Sequence, residues 1–368
     1  MKRFLGNGFL ACLVCLVAVT GCGPKTTTAT TDSTTAEATS SDPAGSDSAG
    51  SGTAEVSNMS GTIKINGSST VAPISDAVRE KFIKQYPNVT VNVDGAGTGN
   101  GFKDFQKKAT DISDASRPIK PGELDACREN GVQFIEIPVA YDGLTIVVHP
   151  DNDWVKTMTI EQLKKIFVAG SEAKKWSDVD AAWPAEEINI FAPGTGSGTY
   201  DYFREVVADG EGESLRNDMN LNEDDNILVQ GVAGNKYSIG FFGVAYYEES
   251  KDKLKAVEIV NPEDGTAYLP TTENIASNKY APFSRPLFIY VSTASLPRAE
   301  VATFVDFYLE NVSELCEKVG YVRLPEEIIA KGRENLDNEA IGTHFVDAEG
   351  NKRSGPLAAN FKAENLTK

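Results

Sequence analysis

From Thr62 onward the apolar positions follow two alternating rhythms. Short runs at Thr62–Ile65, Val89–Val93, Thr110–Ile112, Val132–Val139, Leu144–Val148, Ile188–Phe191 and Leu287–Val291 predict strands. Between them apolar residues recur every three or four positions. Val71, Ile74, Val78, Phe82 and Tyr86 share one helical face. Phe102 and Phe105 open a second, and Ile160, Leu163, Ile166 and Phe167 mark another. Pro121 to Asn130 reads as a helix that begins on Pro and stops before Gly131, and Val301 to Leu309 as an apolar helix. Strands alternating with helices predict an α/β fold whose largely parallel sheets are covered on both faces.

Residues 1–60 keep neither rhythm. Met1-Lys2-Arg3 is a short positive start, and Phe9 to Val19 is an apolar stretch too short to span a bilayer. Together they read as an export signal. The stretch ends in Val19-Thr20-Gly21-Cys22, which resembles the bacterial lipobox, where the Cys thiol is the atom that takes the lipid. Residues 1–22 are therefore expected to be a lipoprotein signal peptide, with Cys22 lipidated. Residues 23–60 are dominated by Thr, Ser, Ala, Gly and Asp. Such a segment buries too little apolar surface to offset its ordering entropy, so it reads as a disordered tether. The expected location is extracytoplasmic, with the chain lipid-anchored to a bacterial membrane.

Composition narrows the function classes. The 368 residues suggest about two domains, and 40% hydrophobic with 24% charged residues is a globular balance. A formal net charge of -18 argues against a nucleic-acid partner, whose backbone it would repel. It does not exclude an anion held in a buried site, where local donors outweigh the screened surface field. Cys12 and Cys15 fall in the signal and Cys22 is the expected lipid site, which leaves Cys127 and Cys316. A disulfide between them and two buried thiols both remain open. His149 and His344 are far apart, and no metal-ligand spacing or His-based triad is present. No cofactor, metal or enzymatic activity is predicted.

The candidate chemistry lies in turns. Asn66-Gly67-Ser68-Ser69-Thr70-Val71, Gly95-Ala96-Gly97-Thr98-Gly99-Asn100-Gly101 and Gly194-Thr195-Gly196-Ser197-Gly198-Thr199-Tyr200 share one grammar. Each follows a strand and opens a helix, where backbone N–H groups and the helix dipole favour an anion. Hydroxyls of Ser69, Thr70, Thr98, Ser197 and Thr199 add donors. Any one such turn is commonly only a helix cap. None fits the dinucleotide or P-loop pattern, the latter for want of its lysine. Asp114-Ala115-Ser116-Arg117-Pro118 adds a cation whose planar fork of donors suits an oxyanion.

In order, Gly67 to Pro73, Gly95 to Gly99, Asp111 to Pro118 and Gly196 to Thr199 resemble the phosphate-binding proteins of bacterial phosphate ABC importers. Val139-Ala140-Tyr141-Asp142-Gly143-Leu144, Ser284-Arg285-Pro286-Leu287 and Val319-Gly320-Tyr321-Val322 echo them further. The resemblance runs from about Gly61 to about Leu324, and the form of the third turn is most similar to the cyanobacterial branch. It implies a two-lobed periplasmic-binding-protein-like α/β fold with a hinge, each lobe a mainly parallel sheet flanked by helices. Lobe one would comprise residues 61–140 plus 275–368, and lobe two residues 141–274.

The implied function is binding of inorganic phosphate and its delivery, as a monomer, to the membrane permease of an ABC importer. Another tetrahedral oxyanion, or a sensory or adhesive lipoprotein, is the alternative. By the resemblance Thr70, Thr98, Ser197, Gly198 and Thr199 fall on ligand positions. Ser116 stands where some members have Asp, and Pro193 where those members have Arg. Arg117 is expected to supply the missing cation. Phosphate near neutral pH keeps a proton that sulfate lacks, so an acceptor-only carboxylate would discriminate the two. Asp142 is the first candidate and Asp114 the second.

Overall fold

The computed structural model describes residues 58–208 and 213–368. The expected signal, the expected lipidation site Cys22 and nearly all of the expected tether lie outside the described residues. Among the described residues twelve strands are β1 (Gly61–Gly67), β2 (Val89–Asp94), β3 (Ile112–Ala115), β4 (Phe134–Val148), β5 (Thr157–Met158), β6 (Asn189–Pro193), β7 (Asn220–Asn222), β8 (Ser238–Gly243), β9 (Lys255–Ala256), β10 (Glu258–Val260), β11 (Ala267–Tyr268) and β12 (Ser284–Ser292). The helices that matter below are α1 (Ala72–Phe82), α2 (Thr98–Gln106), α3 (Pro121–Glu129), α4 (Ile160–Phe167), α5 (Trp176–Val179), α6 (Gly198–Val207), α7 (Asp225–Ala233), α8 (Val244–Glu249), α9 (Thr272–Ala276), α10 (Ala299–Lys318) and α11 (Glu326–Asp337). None of the described helices is long and apolar enough to cross a membrane.

Nine strands form one sheet in the order β2-β1-β3-β12-β4-β8-β6-β7, with β9 beside the end of β4; β11, β10 and β5 form a small second sheet. Local sequence sets the faces. Ile63 and Ile65 of β1 are buried while Thr62 and Lys64 are exposed, the period-two pattern of a half-covered strand. Ile74, Val78 and Phe82 bury one face of α1, and α10 packs beside it with Val301, Phe304, Val305 and Tyr308 inward. Leu163, Ile166 and Phe167 do the same for α4.

The centre of the sheet departs from the expected parallel arrangement. Strands β1, β2 and β3 pair in parallel, and so do β6, β7 and β8. Between these groups β12 runs antiparallel to both β3 and β4, and β4 antiparallel to β8. The two apolar runs expected as separate strands, Val132–Val139 and Leu144–Val148, are one 15-residue strand buried along its whole length. At about 3.3 Å per residue it spans about 50 Å. Its first part pairs with β12 as far as Gly143, and from Leu144 it pairs with β8. A single rod thus joins the two parallel groups. The third strand begins later than its apolar pattern suggested, at Ile112; the Asp111 backbone still bonds Lys64 and Ser292, and its carboxylate accepts the Lys64 N–H and pairs with Arg298.

The chain end returns to β4. Gly342 N–H donates to the Phe134 carbonyl, and Thr343 pairs with Thr367. Beneath them Glu136 accepts hydrogen bonds from Tyr290 Oη at 2.8 Å, Thr343 Oγ1 at 2.6 Å and the His344 N–H at 2.9 Å. His344 Nδ1 lies 3.1 Å from the same carboxylate. Cys127 and Cys316 are both free and buried, in separate core clusters. Of the two readings left open, the structure has the unbonded pair.

Candidate functional site

The first turn leaves β1 and enters α1. Its shape is set from below: the Ser68 N–H donates to the Asp114 carbonyl at 2.9 Å, and Ser68 Oγ accepts the Thr70 N–H at 3.2 Å. Thr70 is buried and Ser69 half-buried. The Gly97 N–H donates to the Gly67 carbonyl at 2.7 Å, which ties the second turn to the first. Gly95 comes up against Ser69 from the same side.

The second turn meets the segment after β3. Thr98 Oγ1 accepts the Ser116 N–H at 3.1 Å, and the two hydroxyls lie 3.1 Å apart. This places Ser116 directly against the Thr98 hydroxyl.

The third turn leaves β6 and enters α6. Ser197 caps the helix by accepting the Thr199 N–H at 3.2 Å. Thr70 Oγ1 lies 3.5 Å from the Gly198 carbonyl oxygen, so the first and third turns touch. Thr70 and Gly198 are separated by 128 positions. Glu223 fills the outer side of this turn. Its carboxylate accepts the Gly196 N–H at 3.4 Å and occupies the space that a Gly194 side chain would need. Gly194 therefore serves the approach of Glu223.

Arg117 does not join this cluster. Its fork is spent on Glu123, with both terminal nitrogens 2.8 Å from the carboxylate oxygens, and it also donates to the Pro118 carbonyl. Glu123 lies in the first turn of α3, where it doubles as a cap. A carboxylate three residues into the neighbouring helix competes better for that guanidinium than turns that carry no side-chain charge.

The cation beside the turns is Arg285 on β12. Its Nη2 donates to Thr70 Oγ1 at 3.1 Å, its Nη1 to Glu205 at 3.3 Å and its Nε to Asp142 at 3.2 Å. Its guanidinium stacks on Tyr202 at 3.6 Å from the ring centroid. The sequence held Arg285 only as part of a resembling tetrapeptide. Nothing local marks it as a partner of Thr70, 215 positions away.

The two carboxylates expected to face a protonated anion are both engaged elsewhere. Asp142 is buried and committed to Arg285; burial raises its pKa, and the charge and hydrogen bond of Arg285 oppose the rise. Asp114 is fully buried beneath the first turn, where Oδ2 accepts from Ser75 Oγ at 2.8 Å and Oδ1 has no hydrogen-bond partner. Burial pushes its carboxyl up to about 7, against the Ser75 hydrogen bond. Its side chain makes no hydrogen bond to Thr70, Thr98 or Ser116. A continuous strand would put Asp114 and Ser116, two positions apart, on one face, but β3 ends at Ala115, between them.

Residues 24–312 match the model of the PBP superfamily domain. The chain is 45% identical over 294 residues to protein SphX of Synechococcus elongatus, covering 79% of this chain and 86% of that one. It is 43% identical over 271 residues to the phosphate-binding protein PstS of Staphylococcus haemolyticus, covering 73% and 83%. Among solved structures it is similar to that of a possible phosphate binding protein from Planctomyces limnophilus, with TM-score 0.74 and 44% identity over 76% of this chain and 99% of that one. An ABC-type phosphate transport receptor from Vibrio cholerae is similar at TM-score 0.56 and 26% identity, covering 72% and 100%.

Proposed function

This chain belongs to the PBP superfamily, alongside the PstS phosphate-binding proteins, and from that premise we propose that it captures inorganic phosphate outside the cytoplasm and delivers it to the permease of an ABC-type importer. The observation that carries this reading is the meeting of Thr70 with Gly198, beside the Thr98–Ser116 pair. Four sequence-distant segments bring hydroxyls and helix N-termini together, which is the donor set a tetrahedral oxyanion needs. The assigned ligand groups are Ser69, Thr70, Thr98, Ser116, Ser197, Gly198 and Thr199.

A binder rather than an enzyme fits the same geometry. Ser197 Oγ is occupied as a helix cap. Among the described hydrogen bonds neither His344, held against Glu136, nor His149, held by the Asp151 N–H, reaches Ser197. We assign residues 61–140 with 275–368 to one lobe and 141–274 to the other. The change of partner along β4 between Gly143 and Leu144 supports a hinge there. The lipobox supports anchoring through Cys22; the Cys22→Ser chain should leave the membrane fraction, and its retention there would defeat the anchor.

Calorimetry of the detergent-solubilised chain with phosphate, sulfate and arsenate tests the main reading. Saturable binding of phosphate at least tenfold tighter than sulfate is expected. A preference for sulfate would reassign the site to another oxyanion.

A further inference from the structure

We propose that Arg285 is the cation that receives the oxyanion and that Asp142 is its positioning residue. This rests on the phosphate-binding reading and names the charge that reading requires. A phosphate dianion taken out of water is costly unless charge and hydrogen bonds compensate it. Position 193, just before the third turn, is Pro and carries no charge. Arg117 is closed off by its two-bond pairing with Glu123. Lys103 on α2 reaches only Asn100, on the exposed side.

Arg285 has the required placement. It bonds Thr70 in the first turn and is stacked on Tyr202 of α6, the helix that the third turn opens. Its side chain is only 13% exposed. Its described hydrogen bonds still leave one N–H on each terminal nitrogen for a further acceptor. A planar fork with two free N–H groups is the geometry that pairs with phosphate oxygens.

Sheet register holds it there. Arg285 on β12 and Asp142 on β4 are direct partners across the strands, so both side chains rise on one face. The register shifts between Leu287 and Phe288, just past Pro286. Such irregularities bend a strand and re-aim side chains near functional sites. Asp142 is 2% exposed and binds Nε, which leaves Nη2 on Thr70 of the first turn and Nη1 on Glu205 of α6. Glu205 differs from Asp142. It is 61% exposed and bonds Nη1, so it can swing into water when an anion arrives. It acts as a removable counter-ion to Arg285.

The assignment predicts effects of opposite sign, which a merely structural arginine would not show. Titrations use the full-length chain in detergent and the anion that the wild type takes up most tightly. Arg285→Ala should weaken binding by about 100-fold or more, and Arg285→Lys by about 10-fold. Asp142→Asn should weaken it by about 10-fold, whereas Glu205→Gln should tighten it about threefold. Arg117→Ala and Glu123→Gln should bind within about threefold of wild type. Loss of binding in Arg117→Ala equal to that in Arg285→Ala would overturn the assignment. If Arg285→Ala does not fold by circular dichroism, Arg285→Lys decides, and wild-type affinity in that variant overturns it. A wild type that prefers sulfate corrects the functional reading while the variants still test the cation. A wild type that takes up none of the three anions overturns both.

Discussion

Gly198 and Thr70 approach so closely that a Cβ on Gly198 would stand 2.7 Å from the Thr70 Cα and 2.7 Å from its Oγ1. Real side-chain carbons do not come this near to backbone, so contact between the first and third turns requires the absence of a side chain at position 198. Gly198→Ala should therefore weaken phosphate binding by about 30-fold or more, because the turns can no longer close on the ligand. The position opens α6, where Ala is a good helix former, so the melting temperature without phosphate should fall little. Calorimetry and thermal melts separate the two effects. Unchanged affinity would mean that this contact is not part of the bound state.

Asp114 makes stability depend on pH. Burial raises its native pKa to about 7 from the ordinary 3.8, and Asp76 adds to the rise against the Ser75 hydrogen bond. Between those values the native chain holds a proton that the unfolded chain has released. Its contribution to stability is therefore full below about pH 4 and is lost as pH rises to about 7. Asp114→Asn should remove this loss. The variant should be more stable than wild type at pH 8 by on the order of a few kcal/mol, with little difference near pH 4. Urea unfolding at the two pH values measures it, and parallel pH profiles for both proteins would refute it.

Glu136 anchors the chain end. Its carboxylate accepts from Tyr290, Thr343 and the His344 backbone, and all of these groups are buried. Glu136→Ala leaves several donors without an acceptor and should destabilise the fold by about 3 kcal/mol. Residues 341–368 should become the first site of limited proteolysis. Phosphate affinity of the folded fraction should stay at wild type, since none of these groups touches the turns.

Cys127 and Cys316 should behave as two inert thiols. Burial pushes both up to about 12, so neither forms the nucleophilic thiolate at neutral pH. Native protein should resist thiol reagents for hours, and denatured lipidated protein, freed of its signal and with the Cys22 thiol blocked, should titrate two thiols. Intact mass without reductant should show no loss of two hydrogens. Rapid modification of either thiol in the native chain would contradict their burial.

The sequence by itself determined the alternation of elements, the three hydroxyl- and glycine-rich turns between strand and helix, and the family. Those are local properties: a period of two or of three to four residues, a strand followed by small hydroxyl residues, and an ordered set of short motifs. It also carried Thr70, Thr98, Ser197 and Thr199, because each lies inside a turn whose chemistry is readable within a few positions. Three matters were decided only by tertiary structure. The fusion of two apolar runs into β4 depends on partners supplied by β12 and β8, which local pattern does not contain. The fates of Asp114 and Asp142 depend on which face of a strand each side chain occupies and what packs there. The choice between Arg117 and Arg285 is a competition among acceptors. Glu123 lies six positions from Arg117 and captures it, while sheet register brings Arg285 across 215 positions to Thr70. A guanidinium goes where folding places its acceptors, and no window of sequence shows that distance.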